Sequence, residues 1–154
     1  MTGYSTVQGI LEWSGAFHQR LAEIYRGLAL GHEQERIGML LVYLAEHEEA
    51  FKRALKDYEG DASLGLVATW HSRVPWPSVP PESVAQLREL LQVQDTADVV
   101  QLAIEFHDAL ILFYSSLRDQ SGNDSTHTLF AALADMEIHE KLRMVRDAQR
   151  LEDY

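Results

Sequence analysis

Phe17-His18-x-x-Leu21-x-x-x-Tyr25-x-x-Leu28 returns as Phe106-His107-x-x-Leu110-x-x-x-Tyr114-x-x-Leu117, at an offset of 89 residues. The same offset, without a gap, carries Leu40 onto Leu129, Leu44 onto Leu133, Ala45 onto Ala134, Glu48 onto Glu137 and Lys52 onto Lys141. Spacings of three and four place residues on one face of an α-helix. A histidine and a glutamate therefore recur in each half on faces that are otherwise apolar. The chain reads as two copies of a helical hairpin, each bringing one His and one Glu to a shared interior.

Outward from these segments, four long stretches are poor in glycine and proline and carry apolar residues at helical spacing. The first runs from about Ser5 to Leu30, with Ser5 and Gln8 as a capping box and Gly31 as a stop. Its inner stripe is Val7, Leu11, His18, Leu21, Tyr25 and Leu28. The second runs from about Glu33 to Glu59 and closes at Gly60, with Ile37, Leu40, Leu41, Leu44, Glu48, Phe51 and Leu55 inward. The third runs from Thr96 to Asp119, capped by Asp95 or Thr96, with Val99, Val100, Ala103, His107, Leu110, Ile111, Tyr114 and Leu117 inward. The fourth follows a turn at residues 120–124 and runs from Ser125 to Leu151, with Leu129, Leu133, Met136, Glu137, Glu140 and Met144 inward. No strand is expected.

Short connections make helices 1 and 2, and helices 3 and 4, antiparallel neighbours. Residues 60–95 between the hairpins hold Trp70, Trp76 and all four prolines, and Pro81 opens a short amphipathic helix to about Leu91. A helix of about 24 residues is roughly 36 Å long, and this segment can return the chain along it. The expectation is one all-α domain over residues 1–154: hairpin 5–59, crossover 60–95, hairpin 96–151. The tryptophans are expected to cover the bundle flank, with a dimer contact or a pocket lining as alternatives.

Composition narrows the function. A net charge of −11 argues against nucleic acid and against an anionic membrane surface as partners. The absence of cysteine excludes thiolate catalysis, Fe–S clusters and Cys-zinc sites. Met1-Thr2-Gly3-Tyr4-Ser5 has neither a basic region nor an apolar run, so no signal peptide is expected and the expected location is cytoplasmic.

The inward polar residues carry the chemistry. His18 and Tyr25 are two helical turns apart, as are His107 and Tyr114, and Glu137 and Glu140 are one turn apart. His18, Glu48, His107, Glu137 and Glu140 then lie at similar depth, and imidazole with carboxylate suits Fe, Mn or Zn. Unpaired buried carboxylates cost several kcal/mol each, on the order of the whole stability margin. The cluster thus calls for protonation, His–Glu pairing, water or a cation. The plainer alternative for each histidine is a core imidazole bonded to a glutamate. For Tyr25 and Tyr114 it is core packing, against hydrogen bonding to a ligand carboxylate. Glu46-His47-Glu48-Glu49 lacks the second histidine of a zinc-protease helix, since residue 51 is Phe. His47 is expected at the surface or as a peripheral ligand.

These residues give the chain a pattern that resembles the ferritin-like superfamily and, within it, the rubrerythrin-like proteins. Those carry Glu on helices 1 and 3 and Glu-x-x-His on helices 2 and 4, and bind two irons. Over residues 5–59 and 96–151 the helix-1 and helix-3 glutamates fall on His18 and His107. The Glu-x-x-His motifs become Glu48-x-x-Phe51 and Glu137-x-x-Glu140. The resemblance implies a ferritin-like four-helix bundle with a metal site at His18, Glu48, His107, Glu137 and Glu140, with Tyr25 and Tyr114 behind it. Iron is the first expectation and Mn or Zn the others, in a protein with an oxidoreductase role. The loss of a ligand at Phe51 suits one metal better than two. The alternative is a metal-free bundle acting in protein association or small-ligand binding. A homodimer is the default assembly for such a bundle, and the substrate is unknown.

Overall fold

The computed structural model describes residues 5–30, 34–71, 74–77 and 95–152. Four long helices dominate: α1 (Val7–Leu30), α2 (Glu35–Asp61), α4 (Thr96–Gln120) and α5 (Asp124–Glu152). Between them lie a single helical turn, α3 (Leu64–Val67), and two short strands, β1 (Ser5–Thr6) and β2 (Trp70–His71). Helix α1 packs along α2, and α4 along α5, as the short connections require. Among the described residues, no helix is long and apolar enough to cross a membrane.

The helix termini follow local chemistry. Asp95 and Asp98 form a reciprocal capping box at the start of α4, with the Asp98 amide donating to Asp95 at 2.9 Å. Asn123 caps α5 by accepting from the Thr126 amide at 2.8 Å. At α1 the cap is Thr6, which accepts from the Gly9 amide at 3.1 Å, and not Ser5 as expected. Ser5 is instead paired with His71, and Thr6 with Trp70, in an antiparallel two-residue ladder. The Val7 amide extends it, donating to the Thr69 carbonyl at 2.8 Å. The expectation of no strand is therefore corrected. Two residues are too few to show the period-two pattern by which a strand is read.

Helix α2 also runs past Gly60, the expected stop, to Asp61. Nothing there demands glycine: a Cβ at Gly60 meets no atom within 4 Å. The helix ends at Ala62, whose extended backbone turns its amide back to the carbonyls of Tyr58 and Glu59. The expected stop at Gly31 and the expected helix from Pro81 to Leu91 lie outside the described residues.

The apolar stripes meet in one core. Val7, Leu11, Leu21 and Leu28 of α1 are buried with Ile37, Leu40, Leu44 and Leu55 of α2, and with Val99, Leu110, Leu117, Leu129 and Leu133 of the second hairpin. Trp76 of the crossover covers the flank as expected. Its ring lies 5.0 Å from Trp13 and 5.7 Å from Phe113. Trp13 in turn meets Phe113 at 4.9 Å and Phe17 at 5.3 Å. Aromatic pairs at these separations add to the area they bury. Trp70, by contrast, is exposed.

Candidate metal centre

Each long helix sends one charged side chain to the middle of the core: His18 from α1, Glu48 from α2, His107 from α4 and Glu137 from α5. All four are buried. They close into a ring in which every imidazole nitrogen faces a carboxylate oxygen. His18 Nδ1 pairs with Glu48 Oε2, and His18 Nε2 with Glu137 Oε1 at 2.9 Å. His107 Nδ1 pairs with Glu137 Oε2 at 2.8 Å, and His107 Nε2 with Glu48 Oε1 at 3.2 Å. Each glutamate thus bridges both histidines, and each histidine both glutamates. Two of the four links cross between the hairpins.

A nitrogen that faces a carboxylate oxygen must carry a proton to bond it. The ring is therefore complete when both imidazoles are doubly protonated and both carboxylates ionised, a neutral set of two positive and two negative charges. Burial alone would lower the His18 pKa, but Glu137 and Glu48 outweigh it and raise it to about 9. At His107 burial is likewise overcome by the bonds and charges of Glu137 and Glu48, and the pKa rises to about 10. Burial pushes Glu48 upward, yet His18 and His107 bring it down to about 2, and Glu137 is lowered by the same partners.

The two halves keep equivalent contacts around the ring. Lys52 Nζ donates to Gln19 at 3.1 Å, and Lys141 Nζ to Asp108 at 2.6 Å, with both partners related by the offset seen in the sequence. They diverge at the third expected carboxylate. Glu140 does not join the ring: it is half-buried and pairs with His47 on α2. One helical turn on from Glu137, its side chain leaves the core for the seam between α2 and α5. The hydrogen bond to Glu140 raises the His47 pKa there, against the effect of burial. Next to it the Tyr43 ring lies tilted against His47, with centroids 4.2 Å apart, and its hydroxyl donates to Asp147 at 2.6 Å. At the position of the histidine in the Glu-x-x-His pattern, Phe51 stacks on His18 with ring centroids 4.3 Å apart. Phe51 also floors a groove of about 590 Å³ between α2 and α5, whose walls include His47, Met136, Glu140 and Arg143.

Tyr25 and Tyr114 sit where the sequence placed them, fully buried behind the ring. Burial, and then the charge of Glu48, raises the Tyr25 pKa well above its ordinary value. Burial, and then Glu137, does the same at Tyr114. The Tyr25 hydroxyl has no hydrogen-bond partner, and the Tyr114 hydroxyl has only the buried Ser14 hydroxyl, one turn before His18, near enough to hold its pKa down without a bond of ordinary geometry. Ser14 was readable only as a small residue on the His18 face. An unpaired buried hydroxyl costs about 1–3 kcal/mol. Tyr25→Phe is therefore expected to leave the metal-free chain as stable as the parent or more so. Urea unfolding checks this, and a loss of more than about 1 kcal/mol would reveal a partner for the hydroxyl.

No family model matches the sequence, and no curated protein does. The backbone does match a crystal structure, that of a Thermotoga maritima protein assigned as a ferritin-like diiron-carboxylate protein. The TM-score is 0.65 over 97% of this chain and 98% of that one, at 17% sequence identity. The fold is ferritin-like. The ferritin-like bundle places a residue from each of its four helices at one depth, which is why His18, Glu48, His107 and Glu137 meet although no two are closer than 30 residues in sequence. Among the described residues, no group of three or more His, Asp or Glu side chains is arranged to hold a metal ion. In the ring the donors face one another in pairs and not a common point.

Proposed function

We propose that this chain binds one divalent transition metal ion between His18, Glu48, His107 and Glu137, with iron the first expectation and Mn or Zn the others. The observation that carries this reading is the buried, four-helix His/Glu ring with its two exchangeable protons. One divalent cation in their place leaves the site neutral, with two imidazole nitrogens and carboxylate oxygens as donors. The hydroxyls of Tyr25 and Tyr114 fit the same exchange. Tyr25 is unpartnered now, Tyr114 has only Ser14 nearby, and both lie in the fields of Glu48 and Glu137. A carboxylate oxygen released from an imidazole would gain a donor there. When bound, iron or manganese would supply oxidation–reduction chemistry, and the chain's own residues would hold and neutralise it. The groove floored by Phe51, which covers His18, is where a small substrate would come near the ring.

The test is elemental analysis of protein purified without chelators or a metal-affinity column. About one equivalent of metal per chain is expected, and its loss in the His18→Ala/His107→Ala double variant. Less than about a tenth of an equivalent after reconstitution with Fe, Mn and Zn would sink the reading.

A second reading has its own support. The ring's four nitrogens and four carboxylate oxygens are already satisfied by one another. In that case it acts as a proton-loaded clasp between the hairpins, and the protein works in association or small-ligand binding elsewhere on the bundle.

A further inference from the structure

At the end of the bundle, away from the ring, the crossover strand β2 faces the turn between α4 and α5 across a small cavity of about 180 Å³. Its lining includes His71, Gln120, Asn123 and Thr126, and none of the lining residues is an Asp or Glu. That is notable in a chain with 24 acidic residues. Two of the side chains, Thr126 and His71, are buried, and Thr126 is unsatisfied. Thr126 is 1% exposed and its hydroxyl has no partner. His71 is 6% exposed, with its ring edge-on to Phe130 at 5.3 Å. Burial lowers the His71 pKa, so the imidazole is neutral and offers one N–H.

Two further lining side chains, Asn123 and Gln120, can donate. Asn123 spends its side-chain oxygen on the Thr126 amide at 2.8 Å, which leaves its NH₂ group. Gln120 contributes another amide from the exposed rim. The cavity also stands at the N-terminus of α5, a 29-residue helix. The first amides of a helix have no intrahelical acceptor, and its dipole favours negative charge there. Asp124, in that first turn, is exposed and lies outside the lining. A hydroxyl, an imidazole N–H, two amides and a helix N-terminus, with no acid among them, are complementary to a compact group rich in acceptor oxygens.

We propose that this cavity binds one small oxyanion, a group of phosphate or carboxylate type. The anion would bridge Thr126 and Asn123 of the second hairpin to His71 of the crossover. Because β2 pairs with β1 at the start of α1, it would also tie that strap to both hairpins. The site is separate from the His/Glu ring and does not depend on metal.

The test titrates the full chain with inorganic phosphate or acetate, against sodium chloride at equal ionic strength. Amide signals of residues 124–126 are followed by NMR, and the melting temperature in parallel. A saturable change with at least one of the two anions and none with chloride is expected, with a rise in melting temperature. Phosphate alone would identify a phosphoryl ligand, and acetate alone a carboxylate. Thr126→Val should weaken binding about tenfold, and Gln120→Ala about threefold. Gln120 lies on the surface, so the second variant reads the site even if the first perturbs folding. No saturable change with either anion below about 20 mM would overturn the proposal. So would both variants binding as tightly as the parent.

Discussion

Glu137→Ala is expected to lower the unfolding free energy of the metal-free chain by about 3–5 kcal/mol. Glu137 accepts from both histidines, at 2.9 Å from His18 and 2.8 Å from His107, and is fully buried. Its removal leaves two imidazolium groups sharing only Glu48. One must then either stay charged without a partner or shed its proton and leave a nitrogen unsatisfied. Both outcomes are costly at zero exposure. The loss is a large part of a typical 5–15 kcal/mol margin for a domain. It should appear as a lower urea midpoint at unchanged slope. The contrast is a variant with all four positions apolar, His18→Leu, Glu48→Met, His107→Leu and Glu137→Met. Nothing charged is then left behind, and the expected stability equals the parent's or exceeds it by about 1–4 kcal/mol. If Glu137→Ala costs less than about 1 kcal/mol, the ring does not hold the hairpins together as described.

The metal-free chain should also lose stability as the solution turns alkaline, well before its lysines titrate. His18 and His107 titrate near 6.5 when unfolded, and their folded values are raised to about 9 and about 10. Groups raised on folding contribute fully below the unfolded value, and their contribution disappears as pH rises through the folded one. The decline therefore begins near pH 6.5 and is complete near pH 10. While each histidine is protonated in the fold and neutral in the unfolded chain, the slope approaches about 1.4 kcal/mol per pH unit per histidine. On the acid side the sign reverses. Glu48, at about 2 when folded, contributes above the usual carboxylate range and loses that contribution as pH falls toward 2. Glu137 is lowered in the same direction. Urea midpoints from pH 4 to pH 10 should trace a plateau near pH 5–6 with a long alkaline fall. A midpoint that stays level from pH 6.5 to pH 9 would show that the histidines are not imidazolium in the fold.

Much of this was legible in the chain itself. The stripe residues Val7, Leu11, His18, Leu21, Tyr25 and Leu28 are buried as a set, and so are Ile37, Leu40, Leu41, Leu44, Glu48, Phe51 and Leu55. Helical periodicity carries that information over many turns, so single exceptions do not obscure it. The termini were less readable. Ser5 and Thr6 are both good caps by chemistry, and the choice of Thr6 follows from a pairing with residues more than 60 positions away. Gly60 looked like a stop, but an exposed glycine without a left-handed backbone can lie inside a helix at modest cost. At the site, four of the five expected polar residues meet. Glu140 was drawn inward because it lies one turn from Glu137. His47, one residue before Glu48, provides a partner on the seam outside the core.

The sequence by itself determined the helices, their order, and the arrival of two histidines and two glutamates in one interior, because burial and periodicity are local patterns repeated at one offset. The tertiary structure alone decided how those four side chains use one another. A spacing says that His18 and Glu137 share a depth. It cannot say which nitrogen meets which oxygen, that Phe51 covers His18, or that the hydroxyl of Tyr25 is left without a partner. Those facts depend on how α1, α2, α4 and α5 approach across the core, where a shift of about an ångström separates a hydrogen bond from a contact.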